Sequence, residues 1–146
     1  MEVQFQLAPL AEMDPAVLYR VLQLRTDVFV VEQACAYPEL DGRDLEPGSL
    51  QVWADDASQV VAALRILRDD DVLRIGRVVA HPDRRGSGLA RDLFRFALDR
   101  CDEIAPGLRI VLDAQEPLQG WYESFGFERA GESFLEDGIP HVPMRR

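Results

Sequence analysis

A chain of 146 residues, 47% hydrophobic and 29% charged, has the make-up of a globular protein and the length of one domain spanning 1–146. Its formal net charge of −10 argues against nucleic acid, whose phosphates call for a basic surface, and would attract a cationic partner. No run approaches the roughly 18 apolar residues that a membrane-crossing helix needs, so no membrane association is expected.

The segment Met1-Glu2-Val3-Gln4-Phe5 lacks the basic-then-apolar pattern of a secretory leader. The two cysteines, Cys35 and Cys101, suit a reducing compartment, so a cytoplasmic location is expected. Val3-Gln4-Phe5-Gln6-Leu7 alternates as a half-buried first strand does. Asp14-Pro15 then starts a helix, with a capping carboxylate followed by proline at the first helical position. Val17, Leu18, Val21, Leu22, Val28 and Phe29 carry its apolar face through about residue 31. Residues 34–49 read as a long loop punctuated by Pro38, Gly42, Pro47 and Gly48. Its Glu39, Asp41, Asp44 and Glu46 are compatible with a cationic substrate, and equally with a solvated connection or a second short helix.

Strands at 50–54, 60–68 and 72–80 follow, with Asp69-Asp70-Asp71 turning between the last two. The third stops at His81-Pro82, since proline cannot donate to a strand ladder. A helix then begins, its apolar stripe formed by Leu89, Leu93, Phe96, Ala97, Cys101 and Ile104. Cys101 on that stripe reads as inert core. After Pro106-Gly107 come a buried strand at 108–112 and a helix from near Glu116-Pro117 to Gly126. Residues 127–130 and 142–144 are closing strands, whose exposed edges would permit a homodimer. This order predicts an α+β (α/β) domain around a mixed sheet.

The strand–turn–helix at 77–90 is a ready anion site. Backbone N–H groups at a helix start have no intrahelical partner, and Gly86 and Gly88 carry no Cβ to hold a phosphate away. Arg84 and Arg85 add positive charge. A dinucleotide loop would need a small residue where Arg91 stands. A triphosphate loop would need lysine, and all 16 basic residues here are arginine. What remains is Arg85-x-x-Gly88-x-Ala90, which resembles the pyrophosphate-cradling loop of the GNAT superfamily of acetyl-CoA-dependent N-acetyltransferases.

A second stretch, Gln115-x-x-Leu118-x-x-Trp121-Tyr122-x-x-x-Gly126-Phe127, resembles that family's late motif, with Gln115 in place of Asn and Leu118 in place of Ala. Leu22-Gln23-Leu24-Arg25, Val28-Phe29-Val30-Val31-Glu32-Gln33, Ile75-Gly76-Arg77-Val78 and Glu136-Asp137-Gly138-Ile139-Pro140-His141 resemble the ElaA-like branch.

The resemblance implies a GNAT-type fold and direct acetyl transfer from acetyl-CoA to a primary amine of a small molecule or a protein. It implies that backbone groups of Val78, Val79 and Ala80 pair with the pantetheine arm and polarise the thioester carbonyl. Arg85, Gly86, Ser87, Gly88, Leu89 and Ala90 would hold the pyrophosphate, and Gln115 would make the pantetheine contact of the usual Asn. Tyr122 matches the family's general acid for the thiolate and also contacts the cofactor.

The general base stays open at this point: Glu32 with its pKa raised by burial, His141 by its intrinsic pKa, or a carboxylate such as Asp113, Glu116 or one of the loop acids acting through water. Two lone histidines, His81 and His141, give no metal site, so no metal is expected. A non-catalytic acyl-CoA sensor or interaction module is the alternative, against which the retained Tyr122 speaks.

Overall fold

The structure, a computed structural model, describes residues 2–57 and 59–146. β1 (Gln4–Ala8) pairs antiparallel with β2 (Leu50–Asp56), which pairs with β3 (Gln59–Asp69), which pairs with β4 (Val72–Ala80). Parallel to β4 lies β5 (Arg109–Gln115), and β8 (Ile139–Arg145) runs antiparallel to β5. β6 (Glu128–Arg129) and β7 (Phe134–Glu136) both pair with β8. The result is the expected mixed sheet, in the order β1-β2-β3-β4-β5-β8-β6.

Helices cover both faces. α1 (Pro15–Thr26) packs on β3 and β4, while α2 (Leu89–Ile104) packs on β2, β3 and β4. The cores they seal are separate: Val21, Leu24 and Val28 meet Ala63 and Val79 on one face, and Leu93, Phe94 and Leu98 meet Ala62, Leu64 and Ile66 on the other. β3 is therefore buried almost end to end, as a strand covered on both sides must be.

The α1 start follows its sequence signal: Asp14 accepts a hydrogen bond from the Ala16 N–H at 2.8 Å, with Pro15 in the first turn. After Thr26 the chain continues as a π-helical turn over Asp27–Glu32. The wider turn shifts the side-chain phase, and Val28, Phe29 and Glu32 all come to line the cavity described below.

The stripe of α2 is broader than the spacing predicted. Phe94 and Leu98 are fully buried, whereas Ile104 is exposed. Phe94 is the hub of an aromatic cluster with Trp121, Tyr122, Phe125 and Phe127, ring centroids 4.7–5.8 Å away. That cluster fixes the short α3 (Gln119–Glu123) and Tyr122 upon it. β7 was not among the expected strands. Its signal is Asp137-Gly138 between alternating residues, with φ of 51° and 78° as a tight hairpin turn requires.

The long 34–49 loop is held down by arginines. Fully buried Arg25 donates from Nε to Glu39 at 2.7 Å and from Nη1 to Asp44 at 2.8 Å. Arg65 donates to Asp41 at 2.8 and 2.9 Å and to Asp44 at 3.2 Å. Glu46 accepts from Arg43. Burial works against the Arg25 charge, yet the Asp44 and Glu39 carboxylates more than offset it and hold the guanidinium above its ordinary range. Of the readings left open for these acids, the structure disfavours a free cationic-substrate site: all four pair with the protein's own arginines.

Candidate active site

β4 and β5 touch over a short length only. Val72, Leu73 and Arg74 pair with Arg109, Ile110 and Val111; beyond them β5 continues against β8, and residues 75–80 of β4 have no strand partner on that side among the described residues. At ~3.3 Å per residue this leaves roughly 20 Å of free strand edge. The cause lies within β4. Between Ala63 and Arg65 on β3 the register takes one extra residue on β4, a bulge, and Arg77 there has φ 55°. Such a backbone is uncommon for arginine and costs about 1 kcal/mol or more. It is held by the side chain: Nε donates to the Glu39 carboxylate at 3.0 Å, Nη2 to Asp41 at 3.3 Å, and the guanidinium lies 5.3 Å over the Tyr37 ring.

Two cavities meet along this edge. The smaller, about 450 Å³, is lined by Val78, Val79, Ala80, Arg84, Arg85, Gly86, Gly88, Leu89, Ala90 and Arg91 together with Leu118, Trp121 and Tyr122. Gly88 caps α2 with φ 86°, Gly86 has φ 78°, and a Cβ built on either would stand in open space. A phosphate can therefore approach this backbone closely, in front of the Ala90 and Arg91 N–H groups, which in the first turn of α2 have no intrahelical acceptor. The residues present fit a nucleotide pyrophosphate.

Ser87 behaves differently from its neighbours. Its hydroxyl bonds the Arg84 carbonyl and accepts from the Leu89 N–H at 3.3 Å, so it builds the turn and leaves the cavity to the glycines. Arg84 is paired with Asp56. Arg91 lies over Phe125 at 4.7 Å and donates to Ser124, while Arg95, also over Phe125, does not reach the cavity.

The larger cavity, about 830 Å³, is lined by Glu32, Gln33, Cys35 and Tyr37 from the segment after α1, by Asp113, Gln115 and Tyr122, and by Glu136, Asp137 and His141 of the β7–β8 hairpin. Tyr122 lines both cavities, at their junction with Val78, Val79 and Ala80. It is 7% exposed, and burial alone pushes its phenol well above the ordinary range, so it stays protonated at neutral pH. Gln115 lies opposite His141 across β5 and β8, and its Nε2 is 3.5 Å from Gln33 Oε1.

The premise offered for Glu32 is reversed. It is exposed and carries a two-pronged bond from Arg85, at 2.6 and 2.9 Å, and that bond holds its carboxyl below the usual range. The Arg85 guanidinium is likewise turned toward Glu32. His141 is 9% exposed, with Nδ1 2.7 Å from the Ile139 carbonyl.

Cys101 is buried core, and burial pushes its thiol up to about 11. Cys35 is half-buried and donates to the Asp137 carbonyl at 3.6 Å, joining the loop to the hairpin. Sequence reasoning did not single out Tyr37 or Glu136 for the site. Tyr37 could be reached only through its bond to Glu39 and its stacking on Arg77. No group of three or more metal-ligating side chains occurs among the described residues.

The Acetyltransferase (GNAT) domain family matches residues 21–146. The chain belongs to the GNAT family. It is 41% identical over 141 residues to the protein ElaA of Escherichia coli, covering 93% of this chain and 91% of that one. The crystal structure of ElaA superposes with a TM-score of 0.94 over 99% of both chains, at 37% identity by that alignment. An acyl-CoA N-acyltransferase from Pseudomonas aeruginosa superposes at 0.95 over 99% of both chains, with 38% identity. This GNAT chain is thus an acyltransferase that draws its acyl group from CoA and passes it to an amine. None of its described helices is long and apolar enough to cross a membrane.

Proposed function

We propose that this GNAT enzyme transfers acetyl from acetyl-CoA directly to a primary amine entering through the larger cavity. The observation that carries the reading is the junction of the two cavities at the opened β4 edge, where the protonated Tyr122 lines both. When bound, the cofactor supplies the activated thioester; residues 85–90 would hold its pyrophosphate and the backbone of 78–80 its arm. Backbone N–H groups at 78–80 polarise the carbonyl, because a preorganised donor in a water-poor slot favours the developing oxyanion. Gln115 keeps an amide for the arm. Tyr122 protonates the departing thiolate.

The amine must be neutral to attack. His141, nearly buried in the lining of the larger cavity, suits the role of base better than Glu32, whose carboxylate is exposed and engaged by Arg85.

The test is thiol release from acetyl-CoA against polyamines, aminoglycosides, amino acids and short peptides, followed by intact-mass measurement of the enzyme. Amine-dependent release with an unmodified enzyme is expected. Since the chain has no lysine, an acetyl adduct would point to a cysteine or the amino terminus and against direct transfer. Acetyl-CoA binding without release for any amine or peptide would favour a sensor.

A further inference from the structure

The β7–β8 hairpin brings Glu136 and His141 together. Asp137 and Gly138 form a two-residue turn that pairs Glu136 with Ile139 and Phe134 with His141. Alternation in a strand then puts Phe134, Glu136, Ile139 and His141 on one face. Because a carbonyl can only accept, the 2.7 Å contact with Ile139 O requires the proton on Nδ1 of neutral His141, leaving the lone pair on Nε2. Nε2 stands 3.7 Å from Glu136 Oε2, and the Phe134 ring stacks on the imidazole at 5.9 Å and 25°. Glu136 and His141 both line the larger cavity.

We propose that Glu136 is the charge partner of His141 and acts through it, stabilising the imidazolium formed when Nε2 takes a proton from the acceptor amine. This deepens the acyl-transfer reading above and rests on it. The balance is simple. The amine nitrogen forms its bond to the acyl carbon and gives one proton to Nε2, the carbon–sulfur bond breaks, and Tyr122 protonates the sulfur. His141 then gives its proton to water and Tyr122 takes one back from water, so both side chains end as they began. In the neutral state 3.7 Å is beyond a hydrogen bond; once Nε2 is protonated, the contact becomes an ion pair. Ionisable groups that line the same cavity include Asp137 at the turn, Asp113 on β5, which accepts from Arg74 at 3.3 Å, Tyr122, Cys35, and the Glu32–Arg85 and Asp41–Arg77 pairs.

The experiment compares wild type, E136Q, E136D and H141A, with acetyl-CoA binding as the control for folding. The imidazole of His141 is followed by NMR through a pH titration, its signals assigned against His81, the one other histidine. The expected result is a His141 midpoint that moves to lower pH in E136Q and recovers in E136D, with the acid limb of kcat/KM moving alike. E136Q should lose about tenfold in kcat, and H141A should lose the limb altogether. A midpoint unmoved by E136Q overturns the pairing whether or not the enzyme turns over. A moved midpoint with an unmoved kinetic limb removes the pair from catalysis. Absence of thiol release with every amine defeats the acyl-transfer reading separately, since the titration needs no turnover.

Discussion

Replacing Arg25 by alanine strips the main counter-charge from two buried carboxylates. Glu39 and Asp44 are only 3% and 7% exposed, and Arg25 gives them four of its hydrogen bonds, one of these to the Glu39 carbonyl. Breaking a buried pair by removing one partner costs about 3–5 kcal/mol. Here the lower end applies, because Asp44 keeps Arg65 and Gln51, and Glu39 keeps Arg77 and Tyr37. A loss of about 3 kcal/mol, with a urea slope of about 2 kcal/mol per molar, lowers the urea midpoint by about 1.5 M. The assay is urea unfolding followed by tryptophan fluorescence, with R25M alongside to separate lost packing from lost charge. R25M should resemble R25A, since methionine cannot satisfy the carboxylates. A midpoint within about 0.3 M of wild type for R25A would refute the view that this cluster holds the loop down.

Three other outcomes are expected. Y122F should lower kcat by about 10²–10³-fold in the thiol-release assay while acetyl-CoA binding by calorimetry stays unchanged; equal turnover would take Tyr122 out of its role as acid. G88A should cost about 1 kcal/mol of stability, for an L-residue at positive φ, yet weaken acetyl-CoA binding at least about tenfold, because its Cβ enters the space a phosphate needs. Unchanged affinity would place the pyrophosphate elsewhere. Stability should also fall in acid. The Arg65 bond holds Asp41 below the usual carboxylate range, and the Arg25 bond overcomes burial to do the same for Asp44. A depressed folded pKa contributes stability above the unfolded value of about 3.9, and that stability is lost as pH drops below it. Urea midpoints measured from pH 7 to 3 should therefore be level at first and decline below about pH 4; a level line to pH 3 would contradict the assignment.

Local signals carried much of the fold. Asp14-Pro15 starts α1, and Gly88 at positive φ opens α2, as residues with those conformational preferences should. Strand alternation and turn residues located most of the sheet, and the glycine turn located the candidate phosphate cradle, because backbone geometry and a missing Cβ are properties of single residues. Edges shifted where pairing decides: β5 runs on to Gln115 because β8 is there to receive it, and β7 exists through its hairpin with β8.

The site depended on the tertiary structure wherever two distant segments share a charge. Nothing local tells Glu32, whose carboxylate meets Arg85 from another element, from a free base. The loop acids look available until Arg25, Arg65 and Arg77, from one helix and two strands, are brought against them. Sequence sets what a residue can do through its own chemistry and spacing. Which partner neutralises it, how far burial moves its pKa, and whether it reaches the cavity are set by long-range packing.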